Sequence, residues 1–88
     1  MLDEAWRLDD AVSLRPEPFG ALAYHFGTRK LSFLKTPELV DVVRRLEHSA
    51  SVEVALRDAG VPGPHWPAYL GALHGLATGG MIRRRAVT

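Results

Sequence analysis

The spacing of apolar residues changes about a third of the way along the chain. Up to Lys35 they tend to recur every second position, as in strands; from Leu39 they recur every third or fourth, as in helices. Val12-Ser13-Leu14-Arg15 alternates until Pro16 and Pro18, which are expected to interrupt it. Phe19 to Phe26 and Arg29 to Lys35 read as two more strands around Gly27-Thr28. Taken as a two-residue type II′ loop with glycine first, Gly27-Thr28 sets a register. Phe26 then opposes Arg29, Tyr24 opposes Leu31, and Leu22 opposes Phe33. These pairs share one bulky, apolar face, while Ala21, Ala23, His25, Lys30, Ser32 and Leu34 make a small, mixed one. A one-residue slip would scatter the large side chains over both faces.

Three helices follow. Thr36-Pro37-Glu38 combines a hydroxyl N-cap, a proline at the first helical position and an acid near the positive dipole end. Leu39, Val42, Val43 and Leu46 then form one stripe of a helix ending near His48. A second helix starts within Ser49–Ser51, with Val52, Ala55, Leu56 and Ala59 as its stripe and Gly60 as its cap. A third, from about Pro64 to Thr78, would bury Trp66, Tyr69, Leu70, Leu73 and Leu76 before Gly79-Gly80. Gly71 and Gly75 each cost that helix about 1 kcal/mol, so close packing is the expected reason for them. Strands first and helices after give an α+β fold with a three-stranded antiparallel sheet followed by three helices.

Composition narrows the function. The 88 residues are 47% hydrophobic, which supports one modest core and a single domain over 1–88. The net charge of +1 gives no prior for a polyanion partner. With no cysteine, disulfides, thiolate metal sites and thiol nucleophiles are excluded. The N-terminus lacks the basic start and apolar run of a signal peptide, and no stretch approaches the roughly 20 apolar residues of a membrane span. A cytoplasmic domain without membrane attachment is expected.

No catalytic constellation is visible. His25, His48, His65 and His74 match no metal-ligand spacing, and they are spread along the chain. Asp3-Glu4 and Asp9-Asp10 read as solvated charge. Arg83-Arg84-Arg85 reads as a frayed basic tail over 83–88. Strand Arg29–Lys35 stands out because its outer N–H and C=O groups could accept an incoming peptide as a further strand. Its lysines could equally blunt the edge against pairing, and a free edge would also let two copies meet as a symmetric dimer.

The run Ser13-Leu14-Arg15-Pro16-Glu17-Pro18-Phe19-Gly20-Ala21-Leu22, continued by Tyr24-His25-Phe26-Gly27-Thr28-Arg29-Lys30-Leu31-Ser32-Phe33-Leu34-Lys35, closely resembles the mycofactocin biosynthesis chaperone family MftB. Ala59-Gly60-Val61-Pro62 and the Tyr69-Leu70…Leu73 helix extend the resemblance over nearly the whole chain. That family is one of the RiPP recognition elements, similar to the pyrroloquinoline-quinone chaperone PqqD. The resemblance implies a winged helix-turn-helix-like domain that is not an enzyme and carries no cofactor or metal. It implies a partner, the leader segment of a ribosomally made precursor peptide, added as a strand beside Arg29, Lys30, Leu31, Ser32, Phe33, Leu34 and Lys35. The helix bearing Trp66, Tyr69, Leu70 and Leu73 would form the other wall. It also implies a second partner, a radical S-adenosylmethionine maturase acting on the precursor's C-terminal Val-Tyr end. Arg29, Lys30 and Arg44 would favour an acidic leader. Two other readings are a subunit that steadies the maturase without holding the leader, and a DNA-binding winged helix. The latter is poorly equipped, since the Pro64–Thr78 helix has no Lys or Arg.

Overall fold

The computed structural model describes residues 1–86. Its elements run β1 (Trp6–Leu8), β2 (Val12–Glu17), β3 (Gly20–His25), β4 (Leu31–Leu34), α1 (Pro37–Leu46), α2 (Val52–Asp58), α3 (Trp66–Thr78) and β5 (Ile82–Arg84).

β2, β3 and β4 form an antiparallel sheet in that order. Leu22 lies opposite Phe33 and Tyr24 opposite Leu31, the register that the alternation predicts. The connecting loop differs from expectation. His25 closes the ladder by donating to the Lys30 carbonyl at 3.0 Å, leaving Phe26-Gly27-Thr28-Arg29 as the loop. Its left-handed residue is Arg29, with φ 62°, and not Gly27. The cause is the His25 ring, whose Nδ1 accepts the N–H groups of Gly27 at 3.0 Å and Thr28 at 3.1 Å. Because one residue is gained on each side, the register survives the longer loop.

Pro16 does not interrupt β2, which continues to Glu17. Phe26 donates to the Ala11 carbonyl, so the even-numbered residues of β3 bond to β2. Pro16, opposite Ala21, therefore occupies a non-hydrogen-bonded pair, where its missing N–H would have pointed away from the sheet. Pro18-Phe19 make the turn. Glycine is required at Gly20, because a Cβ there would collide with the carbonyl oxygen of Leu34.

The small face of this sheet is the inner one. Ala21, Ala23 and Leu34 are buried, while Leu31 and Phe33 are 56% and 60% exposed. Short side chains let α1 lie close against β3, leaving the bulky ones outside.

The helices begin as the caps predict. Thr36 Oγ1 accepts the Leu39 N–H at 3.1 Å, and α1 buries Leu39, Val42, Val43 and Leu46. Ser51 caps α2 through the Val54 N–H at 3.3 Å. A 3₁₀ turn, Gly63–His65, leads into α3. Leu73 and Leu76 of α3 are buried, whereas Trp66, Tyr69 and Leu70 are half-buried at the margin of the core. Close packing does not explain Gly71 and Gly75: a Cβ on either meets nothing within 4 Å.

The expected single sheet is only part of the strand content. β1 pairs antiparallel with β5 in a second, two-stranded sheet. Arg83 and Arg84 thus belong to a strand and not to a frayed tail. Arg85 is held too, its N–H donating to the Ala5 carbonyl at 3.1 Å and its guanidinium to the Ser49 carbonyl. Val87 and Thr88, the end of the expected tail, lie outside the described residues. The acids near the N-terminus explain the order here. Arg7 stands opposite Arg83, a like-charge pair that disfavours the ladder by itself. Asp10 takes Arg7 in two bonds of 2.7 and 3.1 Å, and Asp9 lies 3.9 Å from Arg83. The bond to Arg7 holds the Asp10 carboxyl below its ordinary pKa. Glu4 faces Arg84 at 3.6 Å.

Candidate functional site

β4 is an edge strand, bonded to β3 on one side only. The His25–Lys30 bond determines which of its groups are free. Hydrogen-bonded pairs alternate along an antiparallel ladder, so Lys30, Ser32 and Leu34 turn their N–H and C=O groups toward β3. Leu31, Phe33 and Lys35 turn theirs outward. The Phe26–Ala11 bond gives the same parity from the far side of β3. β2 also has a free side, but it is blunted: Asp9 O takes the Val12 N–H at 3.0 Å, and Pro16 has no N–H. β4 is the open edge of this sheet.

Beside that edge runs a cleft of about 450 Å³. Ser32, Phe33, Leu34 and Lys35 line one side, and Ala72, Gly75 and Leu76 of α3 line the other, with Leu39 of α1 between the strand and the helix in sequence. Lys35, Leu39 and Ala72 also line a smaller hollow of about 280 Å³, completed by Thr36, Ala68 and Tyr69. The Tyr69 hydroxyl is 3.4 Å from Thr36 Oγ1, the oxygen that caps α1. That contact ties α3 to the corner between β4 and α1. Along the helical wall Ala68, Ala72 and Gly75, at i, i+4 and i+7, form a stripe with no side chain larger than a methyl, flanked by Tyr69 and Leu76.

Five residues expected beside an incoming peptide line these hollows: Ser32, Phe33, Leu34, Lys35 and Tyr69. Arg29 and Lys30 precede β4, whose span is Leu31–Leu34 and shorter than the expected Arg29–Lys35. Leu31 lies on the outer face. Leu73 is in the core at 0% exposure, and Leu70 is half-buried against it. Trp66 anchors the start of α3 by donating from Nε1 to the Val61 carbonyl at 2.8 Å. These three support α3 from behind and do not line the cleft. Arg44 lines a separate hollow with Leu8 and Leu14. Sequence reasoning missed Thr36, Leu39, Ala68, Ala72, Gly75 and Leu76 as lining residues. The stripe of small residues on α3 was the available signal, masked by the more prominent stripe of large ones.

Other chemistries find little support among the described residues. No three metal-ligating side chains come together there, and no helix is long and apolar enough to cross a membrane. α3 carries no Lys or Arg, and Arg83 and Arg84 face Asp9 and Glu4, so neither offers a free basic stripe to phosphates.

Residues 5–83 match the peptide chaperone MftB family. The chain is similar to the peptide chaperone MftB of Mycobacterium ulcerans, with 52% identity over 80 residues, covering 91% of this chain and 73% of the relative. It is 49% identical over 86 residues to the peptide chaperone MftB of Mycobacterium tuberculosis, covering 98% of this chain and 79% of that one. For the namesake from Mycolicibacterium smegmatis, identity is 50% over 80 residues, covering 91% and 78%. No solved structure matches the chain.

Proposed function

The chain belongs to the peptide chaperone MftB family, and from that premise we propose that it binds the leader of the mycofactocin precursor peptide as an added strand along β4 and presents it to a radical S-adenosylmethionine maturase. It works in the cytoplasm, is not itself a catalyst, and has the winged helix-turn-helix-like form of a RiPP recognition element.

One observation carries this reading: the outward backbone groups of Leu31, Phe33 and Lys35 stand directly beside an apolar cleft. Ladder bonds to those groups supply affinity without regard to side chain, and alternate leader residues enter the cleft to fix register. Ser32 and Leu34 hold β4 to β3 and line the cleft, and Arg29 and Lys30 approach the leader from the loop end. Tyr69 closes the far end, while Trp66, Leu70 and Leu73 keep α3 at the distance the leader needs.

Paired substitutions test this. Phe33→Ala removes a side chain and leaves the outward N–H, whereas Phe33→Pro removes both, at a position where proline breaks no bond to β3. In calorimetric titrations with the leader, Phe33→Pro should bind about tenfold more weakly than Phe33→Ala, the order expected for a lost ladder bond and its disturbed neighbour. Equal affinity of the two folded variants contradicts strand addition at this edge. Ser32→Pro, by contrast, should disrupt the β3–β4 hairpin itself.

A further inference from the structure

The cleft runs along the free edge of β4 and meets the outer side of the sheet only through Phe33 and Lys35. Across that outer side, Phe19, Phe26, Leu31 and Phe33 are 41%, 63%, 56% and 60% exposed. They are gathered and not scattered. The rings of Phe19 and Phe33 lie 6.0 Å apart, and those of Tyr24 and Phe26 meet edge to face at 5.0 Å. The register sets Leu22 against Phe33 and Tyr24 against Leu31, which joins these side chains into one apolar surface. Isolated exposed apolar residues are ordinary, but an adjoining group of this kind marks a contact surface.

Charge at its border indicates what covers it. Arg29, in the loop between Phe26 and Leu31, and Lys35, two residues beyond Phe33, are exposed and form no ion pair among the described residues. Of the carboxylates nearby, Glu17 in β2 lies 3.3 Å from Arg15, and Asp9 and Asp10, in the loop bonded to Phe26, already face Arg83 and Arg7. The border is therefore cationic around an apolar centre. In a symmetric contact between two copies, such a border would meet another cationic one, which opposes self-association. The patch spans β3, β4 and the loops that hold Phe19 and Phe26, more than the single strand edge an extended peptide covers, which suits a folded protein.

We propose that the outer face of the β2-β3-β4 sheet docks a folded protein whose matching patch has an apolar centre and a carboxylate border. Resting on the function proposed above, that protein is the maturase. Its docking would leave the open edge of β4 and the cleft free to keep the leader, so all three components could assemble together.

The test uses the full chain, the purified maturase and the leader peptide. Phe19→Ser and Phe26→Ser, combined and singly, alter exposed side chains outside the cleft, and thermal melting checks that each variant is folded. The double variant should lose at least about tenfold in maturase affinity, as expected for losing central aromatic contacts, with leader affinity unchanged. The single Phe26→Ser variant gives the same reading if the double variant does not fold. Unchanged maturase binding overturns the docking face alone, while a native chain that takes no maturase overturns both this face and presentation. Loss of leader affinity in step with maturase affinity overturns the separation of the two surfaces. A dimer of the free chain that these substitutions dissociate, or their abolishing adsorption to phosphatidylserine vesicles, would assign the face to a different occupant and overturn the proposal.

Discussion

One imidazole decides how the β3–β4 hairpin ends. By accepting two loop N–H groups, His25 Nδ1 favours a loop that a turn-type preference for Gly27 would not choose, and Nε2 is left facing Asp9 at 3.7 Å. Side-chain-to-backbone bonds of this sort are invisible to residue preferences, whereas Thr36 and Ser51 were legible as caps because capping is a local rule. Thr36 has two contacts, to the Leu39 N–H and to Tyr69. Thr36→Ala should lower stability by about 1 kcal/mol in denaturant titrations, the usual loss for a hydroxyl cap. Tyr69→Phe, which keeps the cap, should cost less. Gly20→Ala should be more damaging than either, since the added Cβ strikes backbone at the end of β4 and no side chain can move to relieve it.

Among the elements, α3 departs furthest from the sequence pattern. Its large residues were readable, and Leu73 and Leu76 are indeed buried. Its function rests on what it lacks. Gly75 lines the cleft and meets nothing where a Cβ would sit, so a longer side chain there would favour the helix while filling the cleft. Gly75→Leu should therefore raise the melting temperature, with about 1 kcal/mol of recovered propensity, and abolish leader binding. Gly71→Ala should bring similar stability and leave binding intact. Parallel loss or gain of both properties in Gly75→Leu would contradict the proposed role of the cleft. β4 shows the complementary limit: alternation gave its register, but the outward parity of Leu31 and Phe33 needed the His25–Lys30 and Phe26–Ala11 bonds.

Across the whole molecule, the second sheet is the feature that the sequence hid. β1 and β5 are three residues each, too short for a period of two to register, and their partners come from opposite ends of the described chain. Arg83 and Arg84 resembled a tail because their partners, Asp9 and Glu4, lie so far away in sequence. Ile82 is buried in the common core and pairs with Leu8. Ile82→Ala should cost about 2–5 kcal/mol in unfolding experiments while leaving the affinity of the remaining folded protein for the leader unchanged. A large loss of affinity in that variant would mean that the second sheet shapes the cleft as well as closing the core.

Backbone amide exchange, followed by NMR with and without saturating leader peptide, tests strand addition most directly. In the free chain, Ser32 and Leu34 should be protected by their bonds to β3 and Leu31, Phe33 and Lys35 should exchange quickly. Bound leader should slow exchange at Leu31, Phe33 and Lys35 in that alternating pattern. If the leader binds and those three amides still exchange as fast as before, the peptide is not an added strand on β4.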